Sequence, residues 1–468
     1  MISFLLPTPS PFDLAITGIG GWLLLSGAVS SLFKNRYHLS YATLSFLAGS
    51  FLASLTDSVQ PVHFVEDGSI DAVTTFTLDL SRVVLGIQLL FAGVGLPSRY
   101  LRTEWKSLAL LLGPGLVVMW MSTTLVIWLL IGGDGISFAH AAAVAACVAP
   151  TDPILSSAIL EGHFAEQNTP KALRDLIIAE SGANDGLGYL FVFGALALVK
   201  HATVGGGAQG IGQTLISYLG YTCLWVVGAS VAFGWVAGHL ARVVLRWADK
   251  RGFIDRESLL AYSVALALFL LGTCGMLGID DVLACFVAGN ALTWDDWFRL
   301  ETLDDKFQHA VDAMLNLVIF MWLGARCPWS TFWDGEFIDP WRLVLIGLGV
   351  LLFRRLPVIM ASYRGINQIE GASQGLFVGY FGPIGVSAVF YLCIGLDYLG
   401  NLRTQYKNAP ASIERLQQLM LTIVWFLVAS SVIVHGFSVP AAMFGLQMRD
   451  MLSLPLQSAS PTGRIALP

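Results

Sequence analysis

Thirteen apolar runs, most of them close to bilayer length, follow one another almost without a break between about residue 12 and residue 446. They fall at roughly 12–32, 38–56, 78–97, 106–131, 136–160, 172–199, 211–241, 257–276, 277–294, 310–325, 340–362, 372–396 and 416–446. A spanning helix takes about 20 apolar residues. Inside lipid each backbone N–H and C=O must be satisfied without water, so runs of this kind fold as helices. Of 468 residues, 55% are hydrophobic and 12% charged, about half the charged share of a soluble domain, and mean hydropathy is +0.69. That composition excludes a soluble enzyme. The chain reads as an all-α polytopic membrane protein of about 13 transmembrane helices. Residues 1–446 form the membrane domain and 447–468 a short cytoplasmic tail. Residues 211–246 fit either one long tilted helix or two segments. The nearly continuous stretch 257–294 is split at Gly275, Gly278 and the Asp280–Asp281 pair.

Basic residues orient the spans. With the N-terminus outside, the inward loops and tail hold 17 Lys and Arg, including Lys34, Arg36, Arg256 and Arg464, against 5 outside, among them Arg403 and Lys407. Miscounting one middle span would scramble that asymmetry, so the N-terminus is placed outside and the C-terminus inside. The first run starts near Asp13 without a basic leader and reads as a retained span, not a signal peptide. A net charge of −6 with no basic block gives no sign of a nucleic-acid partner. The six cysteines lie singly, without CxxC or zinc spacing, and read as small core residues. No cofactor is expected.

Two runs share an anomaly. The fifth contains Cys147-Val148-Ala149-Pro150-Thr151-Asp152-Pro153 and the twelfth Gly379-Tyr380-Phe381-Gly382-Pro383-Ile384-Gly385. Pro150, Pro153, Gly382 and Pro383 break the helix in mid-span, where freed backbone groups need other partners. The two runs lie an odd number of spans apart and so cross in opposite directions. Paired broken helices in inverted halves mark the substrate site of many transporters. Two unrelated proline kinks are the plainer alternative.

Acids inside spans are costly and point to function. Asp152 sits beside the first break, and the sixth run carries Glu180-Ser181-Gly182-Ala183-Asn184-Asp185. At about 100° per residue, Glu180 and Asn184 lie about 40° apart, as do Ser181 and Asp185, which makes one polar stripe. Glu180 fits an ion pair with Arg354 or Arg355 of the eleventh run. Asp152 and Asp185 together offer hard oxygen ligands suited to an alkali cation such as Na+ or Li+. Asp280 and Asp281 fit either an N-cap at the outer surface or a second polar site at membrane depth. Arg82, Gln88, Asp312, Asn316 and His435 read as interhelical hydrogen bonding. The loop acids Asp295, Asp296, Glu301, Asp304 and Asp305 read as a solvated inner face able to attract cations.

These motifs resemble the cation–proton antiporter superfamily. Gly278-Ile279-Asp280-Asp281, Phe353-Arg354-Arg355-Leu356-Pro357 and Phe381-Gly382-Pro383-Ile384-Gly385 resemble its fungal plasma-membrane sodium/proton antiporter branch. The motifs run in family order from about residue 80 to residue 390. The resemblance implies an inverted-repeat fold with two crossed discontinuous helices, working as a homodimer. It implies that Asp185 binds cation and proton in turn, with ligands from Ser181 and the Thr151–Asp152 segment beside Asn184. It also implies a role for Asp280 and Asp281, and Na+, K+ or Li+ export against protons at the plasma membrane. At Gly95 the chain departs from fungal members, which tend to carry an acid there.

The mechanism expected is alternating access with Na+ and H+ competing for one carboxylate. A membrane-embedded enzyme would need a motif such as HExxH, or a Tyr-Asp with Gly-x-Gly-Asp pairing, and these are absent from the sequence. An alkali-cation channel would use the same acids but needs a selectivity filter, and no such segment is evident.

Overall fold

The helices form where apolar side chains outnumber the residues that could compete for the backbone. The structure is a computed structural model, and it describes residues 11–29, 39–55, 70–134, 136–153, 155–156, 169–204, 208–303, 305–405 and 411–453. Among them there is no strand. The first six helices are α1 (Pro11–Ala28), α2 (Tyr41–Leu55), α3 (Ile70–Gly95), α4 (Trp105–Ile131), α5 (Phe138–Cys147) and α6 (Lys171–Val204). They are followed by α7 (Gly210–Lys250), α8 (Arg256–Leu277), α9 (Asp281–Leu292) and α10 (Phe307–Arg326). The last five are α11 (Pro340–Phe353), α12 (Leu356–Ser362), α13 (Ala372–Tyr380), α14 (Val386–Gln405) and α15 (Ala411–Ser453). Among the described residues, eight helices are long and apolar enough to cross a bilayer, with four shorter apolar ones beside them.

Each apolar run read from the sequence is helical over most of its described length, with informative differences. The third helix starts at Ile70, well before the expected residue 78. Residues 211–246 belong to one helix, α7, which widens into a π-helical stretch at Tyr218–Gly228. The split within 257–294 is present: Gly278 ends α8 in the left-handed conformation at φ 65°, which glycine adopts without steric cost. The eleventh run is not one continuous helix, because it breaks at Arg354–Arg355 between α11 and α12. Pro357 lies in the first turn of α12, where its missing N–H costs nothing. Helix α15 carries residues 447–453 of the expected tail, and the rest of that tail lies outside the described residues, as do 157–160, Lys34, Arg36, Asp304, Lys407 and Arg464.

The exterior is apolar and the polar side chains turn inward. Leu24, Leu129, Ile216 and Leu224 are exposed, whereas Asp152, Glu180, Asp185, Asp280, Arg354 and Arg355 are buried. Lipid gives no hydrophobic reason for helices to associate, so close packing has to come from small residues. Gly234 and Gly238 of α7 press on the backbone of Ala284 and Ala288 in α9, and Gly289 of α9 presses on Leu90 of α3. Gly49 of α2 and Gly324 of α10 lie on each other's helix, against Met321 and Phe46. At the loop following α9, the acids are matched rather than free: Asp295 meets Arg246 at 2.5 Å, Asp296 meets Arg299 at 2.7 Å, and Asp305 pairs with Arg256. The Arg299 guanidinium holds the Asp296 carboxyl below the usual carboxylate range.

A Cβ at Gly49 or Gly324 would run into main-chain atoms, whereas one at Gly20 meets nothing within 4 Å. Gly49→Ala and Gly324→Ala are each expected to cost about 1–3 kcal/mol through overpacking. Thermal unfolding in detergent should show lowered midpoints for both and none for Gly20→Ala. Equal midpoints for the three would refute the close contact of α2 with α10.

Candidate functional site

Two helix breaks meet in the interior. Helix α5 stops at Cys147, and the chain runs extended at Thr151–Asp152 before helix resumes at Pro153. Helix α13 stops at Tyr380, and 381–385 are non-helical before α14 begins at Val386. Prolines 150, 153 and 383 remove donors, and Gly382 and Gly385 let the two segments touch. A Cβ on Gly385 would overlap the Asp152 carboxylate, and one on Gly382 would overlap the Arg355 side chain. The Asp152 N–H donates to the Pro383 carbonyl at 2.9 Å.

The freed backbone groups are satisfied by charge. Asp152 accepts from the Val386 N–H at 2.6 Å and from the Leu155 N–H at 3.3 Å, so one carboxylate serves two half-helix N-termini. Arg354 answers it on the carbonyl side, donating to Gly382 at 3.0 Å, Ala149 at 3.2 Å and Pro150 at 2.7 Å. An anion at helix N-termini and a cation at C-terminal carbonyls are the favourable arrangement for the peptide dipoles.

Helix α6 runs past this crossing and presents the polar stripe to it. Glu180 pairs with Arg355, two bonds of 2.5 and 2.7 Å, which decides between the two arginines. Arg355 also donates to the Val378 carbonyl at 2.9 Å. Asn184 accepts from the Thr151 N–H at 3.1 Å and donates to the Thr151 hydroxyl at 2.8 Å, while Ser181 lies 3.0 Å from that hydroxyl. Thr151, Ser181 and Asn184 therefore hold one another and the unwound segment. Asp185, one residue on, is wholly buried, and neither of its carboxylate oxygens has a hydrogen-bond partner. Asp152 acts on it through its charge, and the Ser387 hydroxyl is the polar side chain directed at it.

The Asp280–Asp281 pair does cap a helix, but not at the outer surface that the capping reading expected. Asp280 caps α9 by accepting from the Leu283 N–H at 2.9 Å, but at full burial rather than at the surface. Its second oxygen, Oδ2, has no partner. Asp281 is ion-paired with Arg82 of α3. Helices α6 and α9 are in contact where a Cβ on Gly186 would strike Leu283, so the two acidic sites lie on adjoining helices. Tyr391 joins them: its hydroxyl donates to the Asp185 carbonyl and lies 3.2 Å from that of Gly186, and its ring is within electrostatic reach of Asp280.

Sequence reasoning missed Tyr391, Ser387 and Ser431, whose hydroxyl accepts from the Ile384 N–H at 2.7 Å. Their only signal was position: two follow the second break by a turn or two, and hydroxyls are common in spans. Gln88 bridges Asp312 at 2.7 Å and Asn316 at 2.8 Å, and His435 contacts the Ser431 and Tyr380 carbonyls, as interhelical bonding predicts. Arg82 is more than that, because it carries the charge facing Asp281.

The profile of the family described as sodium/hydrogen exchanger, transmembrane, matches residues 22–445. The chain is 36% identical over 406 residues to Na(+)/H(+) antiporter 2 of Zygosaccharomyces rouxii, covering 85% of this chain and 48% of that one. It is 32% identical over 455 residues to a Saccharomyces cerevisiae Na(+)/H(+) antiporter, covering 94% and 44%. The chain thus spans about half the length of these two relatives. A Schizosaccharomyces pombe Na(+)/H(+) antiporter is 29% identical over 431 residues, with 91% and 89% covered. In fold the chain is similar to the sodium proton antiporter MjNhaP1 of Methanocaldococcus jannaschii at pH 8, with TM-score 0.65, 16% identity and 93% and 99% coverage. On this footing the chain belongs to the transmembrane sodium/hydrogen exchanger family.

Proposed function

We propose that this chain exchanges Na+ for protons across a membrane by alternating access, with Asp185 as the shared binding group. The observation that carries the reading is a buried carboxylate without hydrogen-bond partners, set against two crossed broken helices. Every other charge at the crossing is engaged: Asp152 with backbone N–H groups, Arg354 with carbonyls, Glu180 with Arg355. A proton or an alkali cation each neutralises Asp185, and the two exclude one another. Ser387 and Asp152 are the side chains that act on Asp185 and supply the further oxygens of the site. Thr151, Ser181 and Asn184 act by holding the unwound segment in place beside Asp185. Asp280 is a second station on the route, and the Glu180–Arg355 pair is structural. No covalent step is involved, so the chain is a transporter and not an enzyme.

The positive-inside count supports an N-terminus outside and a C-terminus inside, with 1–446 as the exchanging domain and 447–468 as a cytoplasmic tail. The family resemblance supports a homodimer in the plasma membrane that exports Na+, with K+ and Li+ as further cargo.

In liposomes holding purified protein and a pH dye, external pulses of Na+ or Li+, and not of choline, are expected to alkalinise the lumen as protons leave in exchange. Asp185→Asn should fold and lose the response entirely. Asp152→Asn, which weakens both half-helix caps, should lose it too; full activity in both variants would overturn the site. Competition for one carboxylate also fixes a pH law. On the acid side of the profile, the apparent KM for Na+ should rise about tenfold per pH unit while kcat holds, because the ligand must be deprotonated to bind a cation. A KM independent of pH would exclude competition at a single group.

The ion pair is tested separately from transport. Removing one partner of a buried pair costs about 3–5 kcal/mol, because the other charge is left uncompensated. Glu180→Gln and Arg355→Gln should each lower the unfolding midpoint strongly, and the double variant by less than the sum. Additive losses would show that the two side chains do not act as a pair.

A further inference from the structure

The Asp280–Asp281 turn faces a cavity of about 350 Å³ that the exchange site does not account for. Asp79, Arg82, Tyr189, Tyr221 and Asp281 are among its lining residues. Arg82 is ion-paired with Asp281, and its second nitrogen donates to the Leu271 carbonyl at 2.8 Å. The guanidinium lies over Gly275, where a Cβ would collide with it, so α8 is shaped to admit it. The two partners differ in exposure: the Arg82 side chain is 33% exposed and that of Asp281 5%. The arginine therefore sits at the cavity mouth, with the acid behind it. One residue earlier, Asp280 is wholly buried with Oδ2 unpartnered.

This arrangement places a fixed cation where a mobile one would have to pass. Asp281 offers its charge to whichever cation is present, and Arg82 is always present. Asp79 lies three residues before Arg82 on α3 and is exposed along the cavity. Side chains three apart on a helix are neighbours, so the guanidinium has a second carboxylate to move to without leaving the cavity. We propose that Arg82 is a tethered competitor gating cation access from the cavity to Asp280, closed on Asp281 and open on Asp79. The proposal rests on the exchanger reading above and makes Arg82 and Asp79 positioning residues for cation affinity on one face only.

The expected size follows from population arithmetic. If the gate is open a tenth of the time, the cavity-side KM is about tenfold higher than that of the open form. The experiment measures Na+-dependent exchange in oriented liposomes, with Na+ varied on one face at a time. Asp79→Asn alters an exposed side chain and removes the open position, so it should raise the cavity-side KM several-fold and leave the opposite face unchanged. Arg82→Gln/Asp281→Asn removes both charges of the pair together, which avoids stranding one, and should lower the cavity-side KM by up to about tenfold. Arg82→Lys keeps the charge but loses the planar fork and should fall between. A KM unchanged in the two neutralising variants, or shifted equally on both faces, overturns the gate while leaving the exchanger intact. Wild-type protein that exchanges no cation overturns the exchanger and the gate with it.

Discussion

Backbone hydrogen bonding without water is the constraint on which the rest of this structure depends. Breaking a helix inside a bilayer frees N–H and C=O groups, each of which costs several kcal/mol if left unpaired. Two breaks placed together double that cost, yet the structure brings Thr151–Asp152 against residues 381–385. The solution is ionic. Asp152 gathers N–H donors from both half-helices and Arg354 gathers three carbonyls, each charge matched in sign to the dipole end it meets. Neutral side chains could supply the bonds, but not the compensation for aligned dipoles in a low dielectric.

A charge balance follows from that solution. Asp152 is offset by Arg354, and Glu180 by Arg355, so the four engaged charges cancel and Asp185 is left over. Among the buried acids of the neighbouring group, Asp281 is offset by Arg82 and Asp280 is left over, Asp79 being exposed. Each cluster thus carries one uncompensated carboxylate, and each is neutralised by a single monovalent cation or proton. The tight fit of α6 on α9 at Gly186 and Leu283 keeps the two uncompensated carboxylates on adjoining helices. Two independent groups of residues reaching the same remainder is a stronger argument for cation chemistry than either acid alone.

Much of this was legible in the sequence, for reasons that also explain what was not. Apolar runs give helices because lipid leaves the backbone no alternative, and Pro150, Pro153 and Pro383 break them wherever they fall. The split before α9 could be read because Gly278 and Asp280 are a helix stop and a helix start in succession. The break at Arg354–Arg355 was hidden. Pro357 looks like a residue inside a long span, and only packing against both α13 and α6 turns the two arginines to different partners. Asn184 could be read onto the polar stripe, but nothing in the sequence shows that its amide bonds both polar groups of Thr151. Sequence spacing tells which side chains share a face, but not which of them another segment will claim. The acidic loop after α9 illustrates the same limit, since Arg246 and Arg256 come from 49 residues away to neutralise it.

The magnitude of the uncompensated charge bears on how tightly exchange can be coupled. Moving a bare charge through the middle of a bilayer costs at least about 2.5–3.5 kcal/mol on insertion scales. In rate, that is a factor of about a hundred or more. On the proposed reading, and with Asp280 neutralised in both forms, a carrier crossing with Asp185 bare does so about a hundredfold more slowly than one with Asp185 neutralised by sodium or a proton, and slippage stays near a hundredth of turnover. Were Asp185 paired with an arginine, as Glu180 is, the empty carrier would cross as easily as the loaded one and coupling would vanish. On the proposed reading, the lack of an arginine partner at Asp185, beside a Glu180 paired with Arg355 only five residues away, is what would separate an exchanger from a leak.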